Sequence, residues 1–170
     1  MTEPNSQAAP DGQDQTPAFQ LQRVYLKDVS LEMPNAPRIF LESGAPELDV
    51  QMDMSDEDVG GGMVEVIVRV TVTAQLGGKT LFLVEAKQAG IFELRGIPEP
   101  QRSAVLGIVC PGIVYPYLRA NVADLITRTG MPPVHLAEIN FEVMYHQKEA
   151  AKNAGNASGL IIPPESQTRQ

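Results

Sequence analysis

Cysteine and basic residues are scarce in this chain of 170 residues, and each shortage excludes a class of protein. The single cysteine, Cys110, cannot form an intramolecular disulfide, so the sequence predicts a protein of the reducing cytoplasm. Only 13 Lys and Arg stand against 21 Asp and Glu, which gives a formal net charge of −8. Phosphate backbones would be repelled, and no basic cluster offers an anionic membrane a docking patch. Neither nucleic acid nor a membrane surface is an expected partner.

Targeting and membrane-spanning segments are also missing from the sequence. The first 17 residues, MTEPNSQAAPDGQDQTP, have no positive region and no apolar core, so they do not resemble a signal peptide. No apolar run approaches the roughly 20 residues needed to cross a bilayer, so direct membrane insertion is not expected. Residues 1–17 are polar and acidic and predict a disordered tail, while 152–170 predict a flexible tail, leaving one domain over 18–151. The apolar patch Leu160–Ile162 is either an anchor for a partner or part of that tail.

The sequence contains partial matches to catalytic and metal-binding motifs, but their residues do not have the spacing that those motifs require. Gly78-Lys79-Thr80 resembles the end of a phosphate-binding loop, but Thr73 stands where that loop needs glycine, and a strand rather than a helix follows. His135 and His146 lie eleven residues apart without a cysteine or carboxylate at ligand spacing, which predicts no metal site. Cys110 lies in an apolar run, typical of a buried, inert thiol. No serine or cysteine nucleophile has a histidine base nearby, so we expect neither an enzyme nor a cofactor.

The stretch Phe19–Phe40, FQLQRVYLKDVSLEMPNAPRIF, predicts a long strand that ends at two prolines. Because side chains alternate between the faces of a strand, its odd positions are expected to enter a core and its later even positions to face water. The odd set is Phe19, Leu21, Tyr25, Val29 and Leu31, and the even set is Asp28, Ser30 and Glu32.

Three further segments alternate in the same way: Glu47–Met54, Val64–Leu76 and Thr80–Phe92, with a turn or loop over residues 55–62. The register of the last hairpin follows from the cost of burying a charge. A two-residue turn would place Glu85 among valines, whereas a three-residue turn over 77–79 pairs Val72 with Val84 and Ala74 with Phe82. We therefore expect the three-residue turn, with Leu83 and Glu85 pointing to solvent beside Thr73 and Thr71.

The hydrophobic period changes to that of helices after Pro98. Segments 103–109 and 114–128 predict helix, and Pro111 and Pro116 are expected to interrupt the hydrogen bonds between them. Asn140 can cap a last helix that contains Phe141, Met144 and Tyr145. The sequence thus predicts an α+β fold: a four-stranded antiparallel sheet, a long proline-interrupted helix and a shorter C-terminal helix.

Two groups of residues are candidate binding surfaces. Asp28, Glu32 and Glu85 share one predicted sheet face with the exposed Leu83, and this set is either a solvated face or a small protein-binding patch. The second group is rich in methionine, a flexible residue that suits both core packing and grooves that accept many sequences. It consists of Met52, Met54, Met131 and Met144, with Leu48, Val50, Phe141 and Tyr145.

Four stretches resemble the SecB family of protein-export chaperones: YLKDVSLEMPNAPRIF near the N-terminus, then VRVTVTAQLGGKTLFLVEAKQAGIF, CPGIVYPYLRANVADLITR and MPPVHLAEINFEVMY. They occur in the family's order and extend from about Phe19 to Tyr145. The resemblance implies a cytoplasmic, ATP-independent holdase that binds unfolded preproteins and delivers them to the export motor SecA. It also implies a homotetramer, a dimer of dimers with its helices sandwiched between sheets.

The same resemblance assigns residues to three surfaces. It implies SecA binding by Asp28, Glu32, Leu83 and Glu85. It implies a groove for client peptides formed by Leu48, Val50, Met52, Phe141, Met144 and Tyr145. It implies an oligomer interface that includes Val84, Ala86, Gln88, Val114, Leu118 and Val122.

One position departs from the family pattern: Gly44 stands in the crossover loop where members often carry tryptophan, which predicts weaker aromatic anchoring of clients. Two other readings remain open on the residues alone. One is a scaffold module that binds a single folded partner, and the other is an enzyme whose site assembles only in space.

Overall fold

The chain forms one four-stranded antiparallel sheet with a long helix packed on one face, as described by a computed structural model over residues 16–157. The strands are β1 (Ala18–Glu32), β2 (Glu47–Gly60), β3 (Met63–Leu76) and β4 (Lys79–Arg95), in the spatial order β1-β4-β3-β2. A short 3-10 helix, Arg38–Leu41, lies in the crossover from β1 to β2. The predicted α+β class is confirmed. Residues 1–15 of the predicted N-terminal tail lie outside the described residues. The patch Leu160–Ile162 also lies outside them.

The helical half consists of α1 (Gln101–Ala104), a π-helical turn (Val105–Val109), α2 (Cys110–Thr127) and, after an irregular segment, α3 (Phe141–Ala157). The first three form one continuous helix, which confirms the predicted long helix, and residues 110–113, between the two predicted segments, are helical as well. The π turn widens the backbone just before Pro111, where an α-helix would need a donor that proline lacks. The predicted cap of α3 is confirmed, because the Val143 N–H donates to Asn140 Oδ1 at 3.0 Å. Residues 152–157 belong to this helix rather than to a tail.

Strand β1 changes face twice along its length. Its register against β4 shifts between Leu21 and Arg23 and again between Leu26 and Asp28, so each shift inserts one extra residue. Phe19, Leu21, Val29 and Leu31 keep the inner face that the helix covers, because the second shift cancels the first. Tyr25 lies between the two shifts and points to the outer face, which makes its predicted core position wrong.

The hairpin register between β3 and β4 is confirmed, although the turn differs from the predicted one. Val72 pairs with Val84 and Ala74 with Phe82. The turn has two residues, Gly77 and Gly78, both with positive φ (57° and 76°), and a bulge after Ala74 shifts the register by one residue. The bulge keeps Glu85 out of the core by the same offset that a third turn residue would have supplied. β2 also continues through residues 55–60, which were expected to be a loop.

The core lies between the inner sheet face and one side of the long helix. The six residues predicted for the oligomer interface are between 0% and 2% exposed within a single chain: Val84, Ala86, Gln88, Val114, Leu118 and Val122. Their side chains are core residues of one protomer, so direct contact with a second copy would need other side chains. Asn121 Nδ2 donates to Gln88 Oε1 at 2.7 Å, which satisfies the one polar side chain in this set.

Gly90 lets the helix approach the sheet closely. A Cβ atom at this position would lie 2.9 Å from a Val114 methyl group and 2.7 Å from the Phe92 ring. The helix therefore packs directly over β4 at this point, which fixes how much of the inner face it covers.

The long helix alters one expectation about membranes. Residues Gln101–Thr127 are long and apolar enough to cross a bilayer by length and composition, and an 18-residue stretch within them has a mean hydropathy of 1.3. The expectation that no segment reaches this length is therefore wrong. The helix nevertheless packs on the sheet through Val114, Leu118, Val122 and Ile126, all 0% exposed, as the core helix of a globular domain does.

Candidate binding surfaces

The outer sheet face, which no helix within residues 16–157 covers, carries the predicted acidic set. Asp28 pairs with Lys87 across the β1–β4 ladder, Ser30 with Glu85, and Glu32 with Leu83. Directly paired residues share a face, so Asp28, Glu32, Leu83 and Glu85 lie together on this surface. The predicted sidedness is confirmed.

Two hydroxyl residues border this acidic set on β3. Thr71 pairs with Glu85, and its hydroxyl lies 3.4 Å from Glu85 Oε2. Thr73 pairs with Leu83. The half-buried leucine thus lies between Thr73 and Glu32, a small apolar spot with polar neighbours on both sides.

Lys87, which was not predicted as part of this surface, also lies within it. Lys87 Nζ is 2.9 Å from Asp28 Oδ2 and 3.6 Å from Glu85 Oε1. The hydrogen bond from Lys87, with the charge behind it, lowers the pKa of Asp28, and Asp28 in turn raises the pKa of Lys87. Strand alternation could have found it, since Lys87 is two residues beyond Glu85 and therefore on the same face.

A second polar cluster on the outer face was missed because the two bulges in β1 leave no pattern in the sequence. Glu65 is only 4% exposed, receives a hydrogen bond from the Tyr25 hydroxyl, and lies 2.6 Å from Lys27 Nζ. Burial raises the pKa of Glu65, but the hydrogen bonds from Lys27 and Tyr25 outweigh it, so the net shift is downward. The same contact raises the pKa of Tyr25 to about 12. The cluster keeps a charged carboxylate within the sheet and anchors β1 across β4 to β3.

The inner face of β2 is open at its first half. Leu48 and Val50 pair with Ala74 and Val72 on the inner side of the sheet, yet they are 48% and 47% exposed. Met52 follows on the same face and is half-buried. The long helix covers β3 and β4 and leaves this edge strand largely bare, so three of the six predicted groove residues form an accessible apolar strip.

The other three predicted groove residues lie on α3 and divide between core and cleft. Phe141 is 6% exposed and packs edge-on against Tyr115, with ring centroids 5.5 Å apart, so it is a core residue. Met144 and Tyr145 line a cleft of about 370 Å³ between β2, the start of the long helix and α3. The Tyr145 hydroxyl lies 3.1 Å from Ser103 Oγ, and its ring packs against Gly107.

The cleft has an apolar floor and a charged rim. Met54, Val66 and Leu106 contribute to the floor with Met144 and Tyr145. Met54 belongs to the predicted methionine-rich group, whereas Val66 and Leu106 were not predicted for this surface. The rim carries both signs of charge: Asp56, Glu99 and Glu149 against Arg102, Lys148 and Lys152. Such a cleft suits a chain segment that buries apolar side chains while keeping its polar backbone near water.

The crossover loop adds apolar surface near its 3-10 helix. Ile39 is buried, whereas the adjacent Phe40 and Leu41 are exposed, Leu41 at 87%. Gly44 has φ +141°, and a Cβ atom there would lie 3.1 Å from the Leu76 side chain. This backbone therefore does not admit a tryptophan at position 44, and Phe40 is the exposed aromatic residue of the loop.

Metal and thiol chemistry find no support in the part of the chain that the structure describes. Among residues 16–157, no group of three His, Cys, Asp or Glu side chains could hold a metal ion. Cys110 is fully buried, and burial raises the pKa of its thiol to about 12, so it remains protonated at neutral pH.

Comparison with known proteins gives a consistent result. Residues 12–152 match the family model described as SecB, preprotein translocase subunit SecB. The chain is 60% identical to protein-export protein SecB of Methylibium petroleiphilum over 157 residues, covering 88% of this chain and 96% of that protein. It is 52% identical to protein-export protein SecB of Bordetella pertussis over 174 residues, covering 98% of this chain and 96% of that one.

Among solved structures, the chain resembles the Mycobacterium tuberculosis Rv1957 SecB-like chaperone, solved in complex with a ChAD peptide from the Rv1956 HigA1 antitoxin. The TM-score is 0.58 at 17% identity, over 71% of this chain and 90% of the other. At that identity the likeness concerns the fold.

Proposed function

The chain belongs to the SecB family, and from this we propose that it is an ATP-independent holdase of the cytoplasm that binds unfolded preproteins and delivers them to SecA. The observation that carries the proposal is the separation of two surfaces on one sheet. Apolar side chains are open on the inner side at β2 and in the cleft beside α3, while carboxylates gather on the outer side.

Client binding would use the strip Leu48–Met52, the cleft beside α3 and the exposed Phe40 and Leu41. Burial of apolar surface stabilises a complex by about 25 cal/mol per Å² without requiring a particular sequence. Ordering a flexible client opposes this gain, so several short contacts would give reversible holding. A peptide is also what the Mycobacterium tuberculosis SecB-like chaperone holds in its solved complex.

Holding without ATP has a direct test. Light scattering of an aggregating, chemically unfolded preprotein is followed with and without this protein, in the absence of nucleotide. We expect suppression of scattering near one assembly per client, and a folded form of the same protein should not bind. Absence of suppression, together with tight binding of one folded partner, would instead favour the scaffold reading.

SecA delivery would use Asp28, Glu32, Leu83 and Glu85. These residues lie on the side of the sheet opposite to the client surfaces, so one protomer can contact a client and a partner at once. Three carboxylates around a half-buried leucine suit a cationic partner surface with an apolar contact at its centre.

We further propose a homotetramer, built as a dimer of dimers. Large apolar side chains remain exposed on the inner face of β1 and on the far side of the long helix: Phe19, Leu26, Val29, Val109 and Tyr117. β1 is also an edge strand, and open edges and apolar patches are features that proteins cover by association. These side chains, rather than the six core residues named earlier, would form the interfaces.

The tetramer predicts a native mass of four times 18.4 kDa, or 73.6 kDa, and a formal charge of four times −8, or −32. Native mass spectrometry at micromolar concentration measures both the mass and any dimer formed on dilution. A protein that remains monomeric at every concentration would contradict the proposed assembly.

A further inference from the structure

One row of four charged residues crosses the outer sheet face, with two cations at its centre and a carboxylate at each end. Asp53 on β2 pairs with Arg69 on β3, Arg69 pairs with Lys87 on β4, and Lys87 pairs with Asp28 on β1. Reading across the sheet, the row is negative, positive, positive, negative. Two cations directly opposite each other on neighbouring strands repel, so each is directed outward to its own carboxylate.

The distances follow that division. Arg69 Nη2 is 3.4 Å from Asp53 Oδ2, while Lys87 Nζ is 2.9 Å from Asp28 Oδ2. Lys87 also lies 3.6 Å from Glu85 Oε1, in the next row of the same face. One ammonium group therefore contacts two of the three carboxylates of the proposed SecA surface, and Arg69 contacts none of the three in the described structure.

We propose that Lys87 is an internal competitor of the cationic partner: it occupies Asp28 and Glu85 in the free protein and sets the affinity and salt dependence of the outer face. The inference rests on the proposed SecA binding and adds a specificity-determining residue to that surface. A partner's arginine or lysine must displace the Lys87 ammonium from Asp28 or share the carboxylate with it. The third carboxylate, Glu32, pairs with Leu83 and lies two rows away from Lys87.

We expect the competition by Lys87 to be weak, because its ammonium group and the two carboxylates it contacts are accessible to water. The side chains of Asp28, Lys87 and Glu85 are 57%, 32% and 32% exposed. Solvent-exposed ion pairs of this kind change equilibria by small factors. Lys87 would thus reduce affinity without blocking the surface, which favours rapid release of the partner.

The substitution Lys87→Gln tests the proposal, with Arg69→Gln as the matched control. Both variants lose one positive charge from the same row, but only the first frees Asp28 and Glu85. We expect K87Q to bind purified SecA about two- to fivefold more tightly, with a steeper dependence on salt, and R69Q to change little. Lys87→Arg, which retains the charge, should stay near the wild-type affinity.

A second measurement does not depend on SecA. In carboxylate NMR titrations, K87Q should raise the pKa of Asp28 toward its ordinary value, whereas R69Q should leave it unchanged. Binding of a tetra-arginine peptide provides a further comparison of the two variants. If wild-type protein does not bind SecA, the proposed function fails, and the titration with the peptide still decides the role of Lys87.

Three results would overturn the inference. Weaker SecA or peptide binding by K87Q would show that Lys87 contacts the partner directly. Equal increases in affinity for K87Q and R69Q would show that the effect comes from the net charge of the outer face and not from the contacts of Lys87. An Asp28 pKa that does not move in K87Q would mean that the Lys87–Asp28 pair is not formed in solution.

Discussion

Reversing the charge of Asp28 and Glu85 together, by Asp28→Lys and Glu85→Lys, is expected to abolish SecA binding and to leave the holding of unfolded clients intact. The double substitution would turn two carboxylates that flank Lys87 into a cluster of like charges on the outer face. Apposing like charges at an interface costs several kcal/mol, so calorimetry should show a loss of affinity of far more than tenfold. Both side chains lie away from the core, so the fold should persist.

The matched control is Asp49→Lys with Asp53→Lys, which changes the charge of the same face equally but on β2. Asp49 pairs with Thr73 and Asp53 with Arg69, so both lie on the outer side and outside the proposed SecA set. This variant should weaken SecA binding only modestly and in a salt-dependent way. Equal loss in both variants would show that no local site exists. Loss of client holding in the first variant would show that the sheet itself was disturbed.

The sequence predicts the centre of this sheet well because burial constrains it strongly. A buried, unpaired carboxylate is costly, so the position of Glu85 alone selects the β3–β4 register, and the structure confirms that register. The pattern does not determine how the offset is achieved, and the chain uses a two-residue glycine turn with a bulge in place of a longer turn. Register and turn length are thus separable, and only the first leaves a clear mark in the sequence.

The edge strand β1 shows where prediction from alternation fails. Two inserted residues reverse the faces between Leu21 and Asp28, which moves Tyr25 to the outer side and beside Glu65. No glycine marks either bulge, and the apolar residues of β1 continue through both, so the bulges cannot be recognised from the sequence. The positions after the second bulge were predicted correctly because two reversals cancel. The predicted face of Asp28 and Glu32 is therefore correct, while the Tyr25–Lys27–Glu65 cluster, which involves residues between the shifts, was not predicted.

The prolines of the long helix were misread for a different physical reason. Proline removes one backbone donor, and the prediction took that loss as an interruption of the hydrogen bonds between two helical segments. The π turn over Val105–Val109 lies just before Pro111 in a continuous helix that also contains Pro116, and the apolar side of this helix is held on the sheet by tertiary packing. Packing of the helix on β4 buries the six residues predicted for the interface, three on each element, and a sequence pattern alone cannot distinguish them from an uncovered apolar face.

Placing a charge on the bare strip of β2, by Leu48→Asp with Val50→Asp, is expected to remove most of the client holding while SecA binding persists. Both side chains lie on the inner face and are about half exposed in the single chain. Because they are not packed in the core, their replacement should lower the unfolding free energy by only about 1 kcal/mol. In the scattering assay, the variant should suppress aggregation several-fold less at equal concentration, since carboxylates in the strip disfavour burial of apolar client side chains.

The same strand supplies the control, because its neighbouring residues face the other way. Gln51→Asp with Ser55→Asp adds the same charge to β2 on the outer face, opposite Thr71 and Ile67. If the inner strip binds clients, this control should hold them as the wild type does, and the two double variants should differ although their net charges are equal. Equal holding by both variants would remove the strip from the client surface and leave the cleft beside α3 with Phe40 and Leu41 as its proposed parts. If the inner-face variant loses client holding while the outer-face variant keeps it, clients bind the inner face of β2, on the side of the sheet opposite to the proposed SecA surface.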